Sequence, residues 1–146
     1  IPTFIELKGD AQHRVRANAI RSIIEVASVD TGMTTATSTS LPSPIPTAAA
    51  NAVESLVSML TDDRSPHRLA GVWLASRTLH QPGEPHLSTR VPEIAARVME
   101  LAKFDADPSV RHRATATAER IARDTRLGWL SPTPRENGPR WAWNAA

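Results

Sequence analysis

The chain has 146 residues, a formal charge of +2 and no cysteine, which excludes disulfides, thiolate metal sites and cysteine catalysis. Its length suits one domain, and its 40% of hydrophobic residues, spread along the chain, argue against wholesale disorder. Aromatics are scarce, with four Trp, two Phe and no Tyr, so aliphatic residues must fill the core, which suits close-packed helices better than a β-sandwich.

Only two of the 17 basic residues are Lys. Arg stays charged across the ordinary range, so a pI of about 9.9 coexists with a small net charge and carries no strong nucleic-acid signature. No apolar run approaches the roughly 20 residues that span a bilayer. The chain begins Ile1-Pro2 and shows no signal peptide. That start reads as a processed protein or a piece of a larger one, and the compartment stays open, with the cytoplasm slightly favoured.

In chain order, Thr3 to Lys8 reads as the end of a helix or a brief strand. Asp10 is placed to cap the next helix, whose buried stripe is Val15, Ala19, Ile20, Ile23, Ile24 and Ala27. Residues 31–47 form a Ser/Thr/Pro-rich loop. Thr47 can cap a helix carrying Val53, Leu56, Val57 and Leu60. Ser65-Pro66 reads as a cap followed by proline, opening a helix through Leu69, Val72, Trp73, Ala75 and Leu79. His80 to Ser88 breaks that helix, and Pro92 then starts another, with Val91, Ile94, Ala95, Val98, Leu101 and Ala102 on its apolar face. Asp107-Pro108 repeats the cap-plus-proline device before a helix with Val110, Ala114, Thr117, Ala118 and Ile121, which Gly128 can close. Residues 129–146 form an irregular tail.

One phrase occurs three times: an Asp-containing turn, then a helix that opens with Arg and continues in small residues. Aligning Arg16, Arg68 and Arg111 aligns Asp10, Asp62 and Asp105 six residues upstream, and Ala19, Gly71 and Ala114 three residues downstream. Anchoring instead on the caps, Ser65 against Asp107, shifts the second copy by one residue. Repeats of this period imply stacked helical hairpins. The organisation expected is a first partial repeat (1–30), the loop (31–47), a second repeat (48–80), a third (81–128) and the tail (129–146).

The pattern resembles the HEAT repeats of the armadillo-like α-solenoid family. Asp107-Pro108-Ser109-Val110-Arg111 followed by Ala114 and Ala118 is the closest match, while Asp10 to Ile24 and Ser65 to Leu79 match more loosely. The resemblance implies an all-α solenoid of about two and a half to three antiparallel hairpins. It also implies that Asp10, Arg16, Asp62, Arg68, Asp105 and Arg111 form a structural ladder. The physics agrees: an acidic group suits a helix N-terminus, whereas an Arg in the first turn needs a carboxylate partner.

No constellation for chemistry emerges. His13, His67, His80, His86 and His112 lack helical zinc spacing, and those beside the repeated Arg read as half-exposed. The acidic pairs sit in turns where capping explains them. We therefore expect no catalytic residues, no metal and no cofactor. Trp73 reads first as core. The expected function is a non-catalytic helical-repeat scaffold or accessory subunit, with other protein subunits as partners and Trp129, Trp141 and Trp143 as partner-binding anchors. The alternative is a nucleic-acid-binding module contacting phosphate or acidic groups through Arg113, Arg120, Arg123 and Arg126. Against it, Asp105, Asp107, Glu119 and Asp124 are interleaved among those Arg residues.

Overall fold

The structure is a computed structural model and describes residues 2–8, 10–33, 45–79 and 85–123. Within them every regular element is helical: α1 (Pro2–Leu7), α2 (His13–Met33), α3 (Ile45–Leu60), α4 (Ser65–Thr78), α5 (Pro85–Phe104) and α6 (Pro108–Arg123). None of these is long and apolar enough to cross a membrane.

The helices form two rows. In one, α2 lies against α4 and α4 against α6; in the other, α3 lies against α5. The rows face each other through α2 with α3, α3 with α4, and α5 with α6, and α1 covers α2. One continuous core runs between them. It includes Ile20 and Ile24 of α2, Val53, Leu56, Met59 and Leu60 of α3, Val72 and Leu74 of α4, and Leu87, Ile94 and Val98 of α5. Val110, Ala114 and Ile121 of α6 close it. These residues recur at three- and four-residue spacing, which places them on one stripe per helix.

The repeated small position lets α4 approach α3 closely. A Cβ on Gly71 would lie 3.1 Å from Leu60 N, Met59 C and Met59 Cβ. The aligned Ala19 and Ala114 are buried too.

Several helix boundaries differ from expectation. Residues 2–7 are helical, the first of the two alternatives expected for this segment. Helix α2 continues to Met33 and α3 begins at Ile45, so both ends of the expected 31–47 loop are helical. Thr47 is therefore inside the first turn of α3, and Pro46 occupies an early position where no backbone N–H is needed. Helix α5 starts at Pro85, seven residues before the expected start, and Pro92 lies inside it. Leu87 explains the earlier start. It is fully buried and extends the stripe of Val91, Ile94 and Val98 one turn upstream. That burial offsets the carbonyl partner lost at Pro92. The residue before α4 is Arg64, extended at φ −87° and ψ 122° and without a side-chain cap bond. Ser65 is thus the first residue of α4, not its cap. Gly128 lies outside the described residues.

Candidate functional site

Two sets of residues on the α2–α4–α6 row need separating: the turns that join successive helical units, and the face those helices present.

Each turn is built around its Asp. Asp10 accepts a bond from Gln12 N at 2.7 Å, Asp62 from Arg64 N at 2.9 Å, and Asp105 from Asp107 N at 2.8 Å. These are Asx turns, in which the carboxylate substitutes for a backbone carbonyl. Asp10 consequently folds the turn before α2, which starts at His13, rather than capping that helix. Asp107 does cap α6, accepting from Ser109 N at 2.8 Å. Its carboxyl is held below the ordinary value first by the Ser65 hydroxyl and then by backbone N–H groups.

In the second and third copies the Arg six residues after the Asp ties the turn down. Arg68 Nη1 donates to the carbonyls of Asp62 and Asp63 at 2.9 and 2.8 Å. Arg111 Nη1 repeats this on the carbonyls of Asp105 and Ala106 at 2.6 and 3.1 Å. Equivalent bonds in two copies decide between the two sequence registers in favour of the one anchored on Arg.

Arg68 also reaches forward. Its Nε and Nη2 bind both oxygens of Asp105 at 2.6 and 3.0 Å, and only 2% of the Asp105 side chain is exposed. The planar fork fits a carboxylate in this two-point manner. Arg68 thereby holds the Asp105 carboxyl below the ordinary range, against the opposing effect of burial. The preceding rung is looser: Arg16 Nη1 stands 3.9 Å from Asp62 Oδ2, and Nη2 donates to Ser58 at 3.4 Å. Arg64 is the reason. It grips Asp62 at 3.0 and 3.1 Å and is the largest influence lowering that carboxyl. The residue equivalent to Arg64 before the third helix is Asp107, which cannot compete for Asp105.

His67 sits inside this rung, 4% exposed, with Nδ1 3.8 Å from Asp62 and its ring edge-on to His13 at 5.8 Å. It is buried, not half-exposed, because the turn folds over it. Desolvation is the main cause that lowers its pKa, with the Arg64 charge next. His112, in contrast, is exposed.

The outer face of the same row carries a groove. One cavity of about 340 Å³ is lined by α2, α4 and α6, and a second of about 570 Å³ adjoins it through the shared Leu69 and Arg113. Apart from His13 and Pro108, three residues before the repeated Arg, the lining follows the repeat. Counting from the repeated Arg, the positions are two before, one after, two after and five after. That is the i, i+3, i+4, i+7 spacing of one helix face.

From α4 these positions supply Pro66, Leu69, Ala70 and Trp73. From α2 they supply Arg14, Ala17 and Asn18, the fourth being Arg21, whose guanidinium lies 5.9 Å from the Trp73 ring centre. From α6 they supply Ser109, His112, Arg113 and Ala116. The middle of the groove is apolar, then, and both ends are basic. Most Arg residues elsewhere are engaged with carboxylates. Arg14 and Arg113, however, have no carboxylate partner among the described residues, and no carboxylate lines either cavity. Trp73 both packs on the core and lines the groove, with Arg77 6.0 Å from its ring centre.

Against known protein families, curated proteins and solved structures, the chain has no significant match. The site is therefore read from its own residues.

Of the residues singled out in the sequence, Arg16, Asp62, Arg68, Asp105 and Arg111 come together in the turns, and Asp10 shapes the first turn. Arg113 enters the groove, Arg120 is exposed, and Arg123 contacts Glu119 at 3.3 Å. Arg126, Trp129, Trp141 and Trp143 lie outside the described residues. Arg14, Asn18 and Leu69 were missed. The available signal was the face offset from the repeated Arg, which carries different residue types in each copy and so shows only as a register.

Proposed function

We propose that this chain is a non-catalytic helical-repeat scaffold, a short HEAT-like α-solenoid of two and a half to three hairpins, that docks another protein within a larger assembly. The observation that carries this reading is the groove along α2, α4 and α6, lined at equivalent positions of three successive helices. A stacked array produces such a surface because each unit repeats the orientation of the last. The Arg68–Asp105 pair and the paired turn bonds support the stacking. Trp129, Trp141 and Trp143 stay in this reading as second anchors for the partner.

A second reading, phosphate contact with a nucleic acid, draws on Arg14 and Arg113, which have no carboxylate partner among the described residues. One experiment separates the two. A photo-crosslinking amino acid is placed at Ser109 in the groove, and separately at Trp141, in cells that make the full chain. Discrete protein adducts are expected. Nuclease-sensitive adducts would favour the second reading, and the absence of any protein adduct from both positions would refute the scaffold.

A further inference from the structure

We infer that the α2–α4–α6 groove binds an extended peptide segment with an apolar centre and carboxylates on both flanks. This rests on the scaffold reading and names the chemistry of its partner.

Charge complementarity selects the occupant. Arg14 stands at one end of the groove and Arg113 at the other, and the face between them is Pro66, Leu69, Ala70 and Trp73. An ion pair at each end would fix register, and an apolar side chain seated in the middle would supply hydrophobic burial. The charge at both ends is open to a ligand, because no carboxylate of the lining neutralises it.

The same pattern disfavours a nucleic acid. A phosphate backbone is charged at every step, whereas the face of the central helix carries a cation only at Arg77, beyond Trp73, and none along Pro66, Leu69 and Ala70. The Trp73 ring has the Arg21 and Arg77 guanidiniums about it, 5.9 and 6.0 Å from its centre, which leaves it poorly placed as a stacking platform. The chain's own C-terminal residues are a poor match as well. Beyond Arg123 they carry Arg126, Arg135 and Arg140 against Asp124 and Glu136, a basic balance that complements neither end.

Length follows from the packing. Three helices side by side at about 8–10 Å spacing span roughly 20 Å, which an extended peptide covers in about six residues. A nine-residue probe reaches both ends.

The test is fluorescence anisotropy of labelled Glu-Glu-Glu-Leu-Phe-Leu-Glu-Glu-Glu against the full chain. The controls are the same peptide with Lys flanks, the same peptide with an all-Ala centre, and a single-stranded oligonucleotide of matching length. The acid-flanked peptide should bind at least about tenfold more tightly than either peptide control. Arg14→Glu with Arg113→Glu should remove that advantage, while Lys103→Glu on α5 should leave it intact. Both Arg side chains are exposed and have no carboxylate partner among the described residues, so circular dichroism of the double variant should match the parent.

Equal binding of acid- and Lys-flanked peptides by the unmutated chain overturns the inference, as does binding that survives the Arg reversals. Tighter binding of the oligonucleotide, lost on the same reversals, overturns it in favour of nucleic acid. Peptide binding that appears only after Trp141→Ala and Trp143→Ala overturns it in favour of the chain's own tail. If the groove fails while protein adducts still form at Trp141, the groove assignment falls and the scaffold reading stands.

Discussion

Replacing Asp105 with Ala should be among the most damaging single changes outside the apolar core. The substitution removes both oxygens that hold the Arg68 fork and the acceptor for Asp107 N. It leaves the Arg68 guanidinium, 15% exposed, with only the two carbonyls of its own turn. Breaking a buried, hydrogen-bonded pair by deleting one partner costs about 3–5 kcal/mol. Domains of this size have about 5–15 kcal/mol in total. At about 2–4 °C per kcal/mol the melting temperature should fall by roughly 6–20 °C.

Urea unfolding followed at 222 nm gives the magnitude, and Glu100→Ala provides the comparison. Glu100 pairs with Arg97 in the open, 56% and 45% exposed respectively, and its loss should cost less than about 1 kcal/mol. The Arg68→Ala and Asp105→Ala cycle should return a coupling of about 2–3 kcal/mol. A coupling below about 0.5 kcal/mol, or an Asp105→Ala loss no larger than that of Glu100→Ala, would refute the view that this rung joins the second and third units.

Three further outcomes follow from the same geometry. Gly71→Ala gains up to about 1 kcal/mol of helix propensity but meets three non-yielding atoms at 3.1 Å, two of them backbone. We expect a net loss, and Gly71→Leu should lose several times more in the same urea assay. Leu74→Ala, at a fully buried site, should cost about 2–5 kcal/mol, read from the midpoint at unchanged slope. For His67 the folded pKa lies below the unfolded value of 6.5, so the unfolded chain binds the extra proton. Its contribution is whole above pH 6.5 and is lost progressively as pH falls; thermal melts between pH 7.5 and 5 should show this slope, and His67→Gln should flatten it.

How much of this was legible in advance depends on whether a residue's role is carried by its type or by its position. Asp62, Arg68, Asp105 and Arg111 were legible because the chemistry of a turn tied to a helix needs a carboxylate and a guanidinium at fixed spacing. The apolar stripes of α3 and α6 were legible for the same reason. Leu87 was not, because the prolines on either side of it outweighed one buried residue one turn before Val91. His67 was misread by its residue type: it precedes Arg68 and so aligns with Val15 and the buried Val110, whereas His112 follows Arg111 and falls on the exposed groove face. The folded turn, with Asp62 and Arg64 beside the ring, completes the burial of His67. The groove was hidden because Arg14, Pro66 and Ser109 share a place without sharing a property.

The repeated Arg and its Asp sit at positions that the groove face never uses. The exposed groove residues Arg14, Asn18, Pro66, Ser109, His112 and Arg113 contribute little to the core, while the joints that space the helices lie in the turns beneath. Exposed sites of that kind change stability by about 0.5 kcal/mol or less when substituted. The frame can therefore be re-addressed. Exchanging the outward residues of α2 and α6 would alter the sign and placement of charge at either end, while Arg68 and Asp105 continue to hold the pitch between α4 and α6.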